Sequence, residues 1–234
     1  MKRINIYITA FVLFLLATFA LSACMNNGAD TADKVNSQLA MSTLRLLTAR
    51  DYYFDLDNGK KMYPGDTTDI LNYPLVDGQR TIVRFLPLEE KKAGYDYNVK
   101  VIQIENILCK DIIPLTEENA GSIGNDRINI DRIWITGNYL NVEYLFYQSK
   151  TPQTPHTLEM VINRSAPATD NAAYLSLEFR HNAYADEEVI KNVGLVSFRL
   201  NSIAGELTGK QGVAVTVNSI YDGERTYKVE RERK

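Results

Sequence analysis

The sequence predicts an all-β protein, built as a small, partly open barrel followed by an antiparallel β-sandwich. Three observations predict it. Strand-forming runs separated by turn residues fill the chain from Ser42 onward. No convincing helix interrupts the first four or five of them. The second half alternates apolar and polar residues with a period of two, the pattern of strands buried on one face only. A mature length just over 200 residues allows one large β domain or two small ones. A break in patterning from Thr116 to Asp126, with Glu117, Glu118, Asn119, Gly121, Gly124 and Asn125, places a boundary there.

The N-terminus is a leader rather than part of the fold. Lys2 and Arg3 precede an uncharged stretch from Ile4 to Asn27 that contains the apolar run Ala10–Ala17. That is the layout of a secretory signal peptide. Leu21-Ser22-Ala23-Cys24 closes it with an aliphatic residue, two small residues and a cysteine, which is similar to a bacterial lipobox. An uncleaved span would need roughly 20 apolar residues, which Ile4 to Ala23 just reaches. That alternative leaves the small pair before the cysteine unexplained. The expectation is therefore a signal peptide at 1–23, a lipidated Cys24 and an outer-membrane lipoprotein facing the periplasm or the cell surface.

Residues 24–38 are polar and without periodicity, and read as a flexible tether. Within the barrel, 39–115, Ser42–Thr48 is the first strand and Tyr52–Leu56 the second. Asp57-Asn58-Gly59 supplies a tight turn into Lys61-Met62-Tyr63. Arg80–Leu88 is β-rich, and Tyr97–Ile113 is so long that it must bend or split. Such strand density suits a small barrel. In the sandwich, 126–234, Leu140, Val142, Tyr144 and Phe146 share one face, with Asn141 and Glu143 opposite. Gly137-Asn138 turns Arg132–Thr136 into this strand. Leu175, Leu177 and Phe179 point inward, as do Val196, Phe198 and Leu200, and Val213, Val215 and Val217, while Ser197 and Arg199 point outward. About seven strands of this kind read as a sandwich.

Without Lys2 and Arg3 the chain keeps 24 basic against 29 acidic side chains, which disfavours nucleic acid as a partner. With Cys24 acylated, Cys109 is the sole remaining thiol and no intramolecular disulfide can form. Stability must come from the core.

Four stretches resemble the NigD-like lipoproteins of Bacteroides-type bacteria. They are Asp57-Asn58-Gly59 before Tyr63-Pro64, Asp77-Gly78-Gln79-Arg80, Ile133–Asn141, and Leu177-Glu178-Phe179-Arg180-His181-Asn182-Ala183-Tyr184-Ala185-Asp186. The resemblance covers nearly all of the mature chain. It implies an OB-like barrel followed by a β-sandwich, in agreement with the strand patterns. The family takes its name from a bacteriocin-associated gene cluster, and a role in immunity has been suggested for it. The resemblance implies no established activity.

Motifs for catalysis or cofactors are weak. Gly205–Gln211 superficially matches a phosphate loop, but the glycine spacing is one residue short and Gln211 stands where Ser or Thr would bind magnesium. Asp51, Asp55 and Asp57 do not complete a calcium loop. His156 and His181, the two histidines, have no partner at metal-ligand spacing, so neither a metal nor a cofactor is expected. No Gly-x-Ser-x-Gly elbow is present. Cys109 reads as a small core residue. Convergent polar chemistry occurs in one segment, Arg180, His181, Asn182, Tyr184 and Asp186. Arg180 and Asn182 could grip a carboxylate or sugar hydroxyls, with Tyr184 as a stacking face. The stronger reading is structural, with Asn182 and Asp186 bonding their own loop and His181 plugging the end of the sandwich. Asp30-Thr31-Ala32 and Asp66-Thr67-Thr68 look like O-glycosylation acceptors at Thr31 and Thr67. The expectation is a non-enzymatic binding or accessory module for a protein or glycan partner. The alternative is a glycan-acting hydrolase using Asp55 and Asp57 as paired carboxylates.

Overall fold

The structure, a computed structural model, describes residues 36–164 and 173–231. The predicted leader, Cys24 and Thr31 lie outside the described residues. The first five strands are β1 (Gln38–Leu46), β2 (Tyr52–Leu56), β3 (Lys61–Asp66), β4 (Arg80–Pro87) and β5 (Tyr97–Asn106). They form a closed barrel in the order β1-β2-β3-β5-β4. The barrel is closed rather than partly open, because β3 pairs in parallel with β5 from Met62↔Tyr97 to Asp66↔Lys100. Closure leaves no free edge to manage. β1 starts before Ser42: Gln38 to Met41 already pair with β4, so the end of the predicted tether is part of the sheet. Alternation directs Leu44, Phe54, Met62, Val83, Val99 and Val101 into a core where none is solvent-accessible.

The remaining strands make two facing sheets, and the change from barrel to sandwich falls near Ile107 rather than at 116–126. The predicted Tyr97–Ile113 strand splits. After β5, β6 (Leu108–Asp111) pairs in parallel with β12 (Ile190–Arg199), at the edge of the sheet β6-β12-β9-β8. Then β7 (Ile113–Pro114) pairs in parallel with β10 (Thr157–Ile162), at the edge of the sheet β14-β13-β11-β10-β7. Ile112 lies between them, buried in the core that both sheets share. The chain leaving the barrel therefore adds one short strand to each sheet.

The other members are β8 (Asn129–Thr136), β9 (Tyr139–Gln148), β11 (Tyr174–Asn182), β13 (Gly212–Ser219) and β14 (Gly223–Glu230). The sandwich is mixed rather than purely antiparallel. Besides β6 and β7, β11 and β13 run parallel from Tyr174↔Gly212 to Phe179↔Val217. The connection from β12 crosses from one sheet to the other through a 3-10 turn (Leu200–Ile203) before β13 begins, so β13 arrives in the direction of β11. Leu140, Val142, Met160, Leu177, Phe179, Val196, Phe198, Val213 and Val215 fill the space between the sheets.

The break at 116–126 holds the one α-helix among the described residues, α1 (Glu117–Ile123). The Thr116 hydroxyl accepts the Asn119 N–H, and the Asn119 side chain accepts the Thr116 N–H, a reciprocal cap. Glu117 and Glu118 sit in the first turn, where the helix dipole favours negative charge. Gly124 ends the helix at φ 71°, and a Cβ there would lie 2.8 Å from that of Asn182. The glycine lets α1 close onto the end of β11.

Candidate functional site

At the end of β11 the segment singled out by sequence is built from internal contacts. The Asn182 amide donates to the Ser122 carbonyl at 2.9 Å, while its oxygen accepts the Tyr184 N–H at 2.8 Å. Asp186 accepts the Ser149 N–H at 2.8 Å, and this bond is the first cause of its lowered carboxyl pKa. Asp126 accepts the Ala183 N–H at 2.7 Å. Arg180 pairs with Glu178, two positions back on the same strand face. Tyr184 and Ala185 hold φ of 53° and 58°, left-handed conformations that cost L-residues roughly 1–2 kcal/mol each. The surrounding bonds hold this turn. The Tyr184 ring is exposed, with its hydroxyl 3.2 Å from that of Thr157.

The structure joins the two histidines, which the sequence keeps 25 positions apart. His181 Nδ1 faces the Arg127 carbonyl at 3.1 Å, and His181 Nε2 faces His156 Nδ1 at 3.0 Å. His156 Nε2 then faces the Asp186 carboxylate at 3.1 Å. Both rings are nearly inaccessible and pack against Phe146. The three contacts make one continuous row from the Arg127 carbonyl to the Asp186 carboxylate. Burial is the main cause of a lowered His181 pKa, and the neighbouring His156 lowers it further. No local sequence pattern announces this pair. Beside it lies a cleft of about 210 Å³, lined in part by Asp126, Arg127, Tyr147 and Glu188. Among the described residues no group of three or more His, Cys, Asp or Glu side chains is placed to hold a metal.

A second cluster joins the two domains and draws on three of the family-like stretches. Arg80, fully buried, donates to both Asp57 oxygens at 2.5 and 2.8 Å. It also reaches Asn141 Oδ1 at 3.3 Å, which accepts the Ser197 hydroxyl at 2.7 Å. The guanidinium lies 4.2 Å from the Tyr139 ring centroid, and Thr43 donates to the Tyr139 hydroxyl. Asn141 and Ser197 do point away from the sandwich core, but the barrel, not solvent, covers them. Both Asp57 oxygens are thus engaged, whereas Asp55 sits opposite Lys61 on the outer barrel wall. The paired-carboxylate reading loses one of its two members. Cys109, on edge strand β6, is half-buried rather than in the core, and burial raises its thiol pKa. Thr67 is half-buried ahead of a 3-10 turn (Thr68–Ile70), and the Asp66 carboxylate accepts the N–H and hydroxyl of Thr68.

The outer wall of β2 and β3 carries a cluster that sequence reasoning missed. Outward positions place Tyr53 and Asp55 on β2, with Lys61 and Tyr63 on β3. The loop before β5 lays Tyr95 between the two tyrosines, with centroids 5.9 Å from Tyr53 and 5.1 Å from Tyr63. Two bonds fix that loop: Asp96 N–H donates to the Lys61 carbonyl at 2.9 Å, and Lys61 N–H donates to the Asp96 carboxylate at 2.8 Å. Lysine ammonium groups rest on the rings, Lys61 over Tyr53, Lys92 over Tyr63 and Lys60 over Tyr97. A signal existed in the outward parity of Tyr53 and Tyr63.

Comparison with known proteins gives a consistent family assignment. A model described as the NigD-like N-terminal OB domain matches residues 41–107, and one described as the NigD-like C-terminal beta sandwich domain matches 111–231. Among solved structures, a Bacteroides vulgatus protein of unknown function is 29% identical with a TM-score of 0.73. That match covers 85% of this chain and 92% of the other. A Parabacteroides distasonis protein, provisionally described as toxin-related, is 28% identical with a TM-score of 0.67, over 84% and 94% of the two chains. A NigD-like immunity protein from Bacteroides caccae shares the fold at 18% identity and a TM-score of 0.60, over 82% and 90%. No curated protein matches the chain.

Proposed function

Because this chain belongs to the NigD-like family and carries both of its domains in order, we propose that it is a tethered, non-catalytic binding module of the cell envelope. One contrast supports this reading. The polar groups of the Arg180–Asp186 segment are engaged by their own surroundings, while the barrel turns a tyrosine- and lysine-rich wall outward. The stretch Leu21-Ser22-Ala23-Cys24 supports an outer-membrane lipoprotein, facing the periplasm or the cell surface. Two or more acyl chains would hold it there stably. The acidic mature chain favours a protein or glycan partner over nucleic acid. The Bacteroides caccae relative is described as an immunity protein; the same role here would make the partner a bacteriocin.

The test is capture from detergent-solubilised native envelopes, with the lipidated protein as bait and a Cys24→Ala form as control. The expected result is a partner recovered reproducibly with the anchored form. Turnover of an envelope glycan by the purified protein would contradict the non-catalytic reading.

A further inference from the structure

Resting on that reading, we propose that Tyr53, Tyr63 and Tyr95 form the binding platform for a neutral glycan chain. The rings make one continuous tilted row with neighbouring centroids 5.1 and 5.9 Å apart. Two of them stand on adjacent strands of a closed barrel, and the third is held by the paired Asp96–Lys61 hydrogen bonds, one to the Lys61 carbonyl and one to the Asp96 carboxylate. A site mounted on rigid strands lowers the ordering cost of binding. The phenol faces suit the apolar C–H face of a pyranose, whose burial is favourable whatever the sugar's configuration.

The groups around the row decide which glycan. Lys60, Lys61 and Lys92 offer donors, whereas Asp55 and Asp96 offer acceptors. Asp51 is close enough to be the second cause, after burial, of the raised Tyr95 pKa. Both signs stand around the same rings. Sugar hydroxyls donate and accept together, so a neutral polyhydroxyl chain can satisfy both sets. A polyphosphate or polyuronate would meet carboxylates as well as lysines around the rings and gain no net attraction. A protein partner fits less well, because lysine and aspartate are depleted from protein interface cores. The second and third strands of an OB barrel, flanked by the loops after strands one and four, are where this architecture hosts oligosaccharides elsewhere. The Asp51 loop and the Lys92–Tyr95 loop occupy those two positions here.

The experiment uses the soluble mature chain carrying Cys24→Ala in native affinity electrophoresis. The gels contain amylopectin, laminarin, yeast α-mannan or xyloglucan, with polygalacturonate as the anionic control. The expected result is retardation by at least one neutral polysaccharide. Affinity should fall at least about tenfold in Tyr63→Ala and in Tyr95→Ala, the equivalent of one lost stacking contact. Tyr63→Phe should retain binding, and Tyr95→Ala, a loop substitution, should leave the melting temperature unchanged. No retardation by any of the four, retardation unaffected by the tyrosine variants, or retardation by polygalacturonate alone would overturn the proposal. Envelope capture repeated with Tyr63→Ala separates this from the broader reading. A protein partner retained by the variant leaves the binding module standing and removes the glycan platform.

Discussion

The burial of His181 beside His156 makes the sandwich end sensitive to acid. His181 has its pKa lowered, chiefly by burial, relative to an ordinary histidine near 6.5. The unfolded chain therefore binds a proton at His181 before the folded one does. Stability from this group is present above about pH 6.5 and is lost as pH falls toward the depressed folded value. The lowered pKa of Asp186 works in the same direction at more acidic pH, as its carboxylate is protonated. Urea denaturation between pH 7.5 and 5 should show stability declining, with a slope no steeper than about 1.4 kcal/mol per pH unit from His181. In His181→Leu that dependence should be flatter. An equal slope in the variant would show that the pair is not its origin. The inward parity of His181 was readable from Phe179 before it. The partner was not, because His156 lies on a different strand's approach and the two meet only once β10 and β11 pair.

Three separate elements meet at Arg80: the turn after β2 with Asp57, the start of β4 with Arg80 itself, and the start of β9 with Tyr139 and Asn141. Removing one member of such a pair leaves a charge buried and unmatched. Asp57→Ala should therefore destabilise the protein by about 3–5 kcal/mol. Replacing both members, Arg80→Met with Asp57→Leu, should recover most of that loss, since an apolar pair needs no compensation. Chemical denaturation of the three proteins checks both; no loss in Asp57→Ala would mean the contact is solvated. The elements themselves were largely legible. Turn residues 57–59 and 137–138, and the period of two in β9, β11, β12 and β13, are local signals that burial of one face reinforces. The parallel pairings were not, because they depend on which remote strand a segment reaches. Helix α1 was also missed. Its cap uses Asn119 where the usual signature has Glu or Gln, and seven residues give little periodicity.

At the scale of the whole molecule, the barrel and the sandwich are joined through the Arg80 cluster and through β6 and β7, which the chain leaving the barrel adds to the two sheets. The sequence read on its own drew attention to the Arg180–Asp186 string, with a structural reading preferred to a binding one. Arg180, Asn182 and Asp186 are polar residues in an unusual string, and their hydrogen bonds show that the string shapes a turn. Tyr53, Tyr63 and Tyr95 look ordinary in the chain and become a surface only when the barrel closes. The most direct test is hydroxyl-radical footprinting of the lipidated protein in native envelopes against the purified protein, because it reads occlusion by any class of partner. The expected result is protection of Tyr53, Tyr63 and Tyr95 in envelopes, with the exposed Tyr184 and Tyr221 labelled equally in both. Protection confined to Tyr184, or none at the barrel wall, would contradict the account.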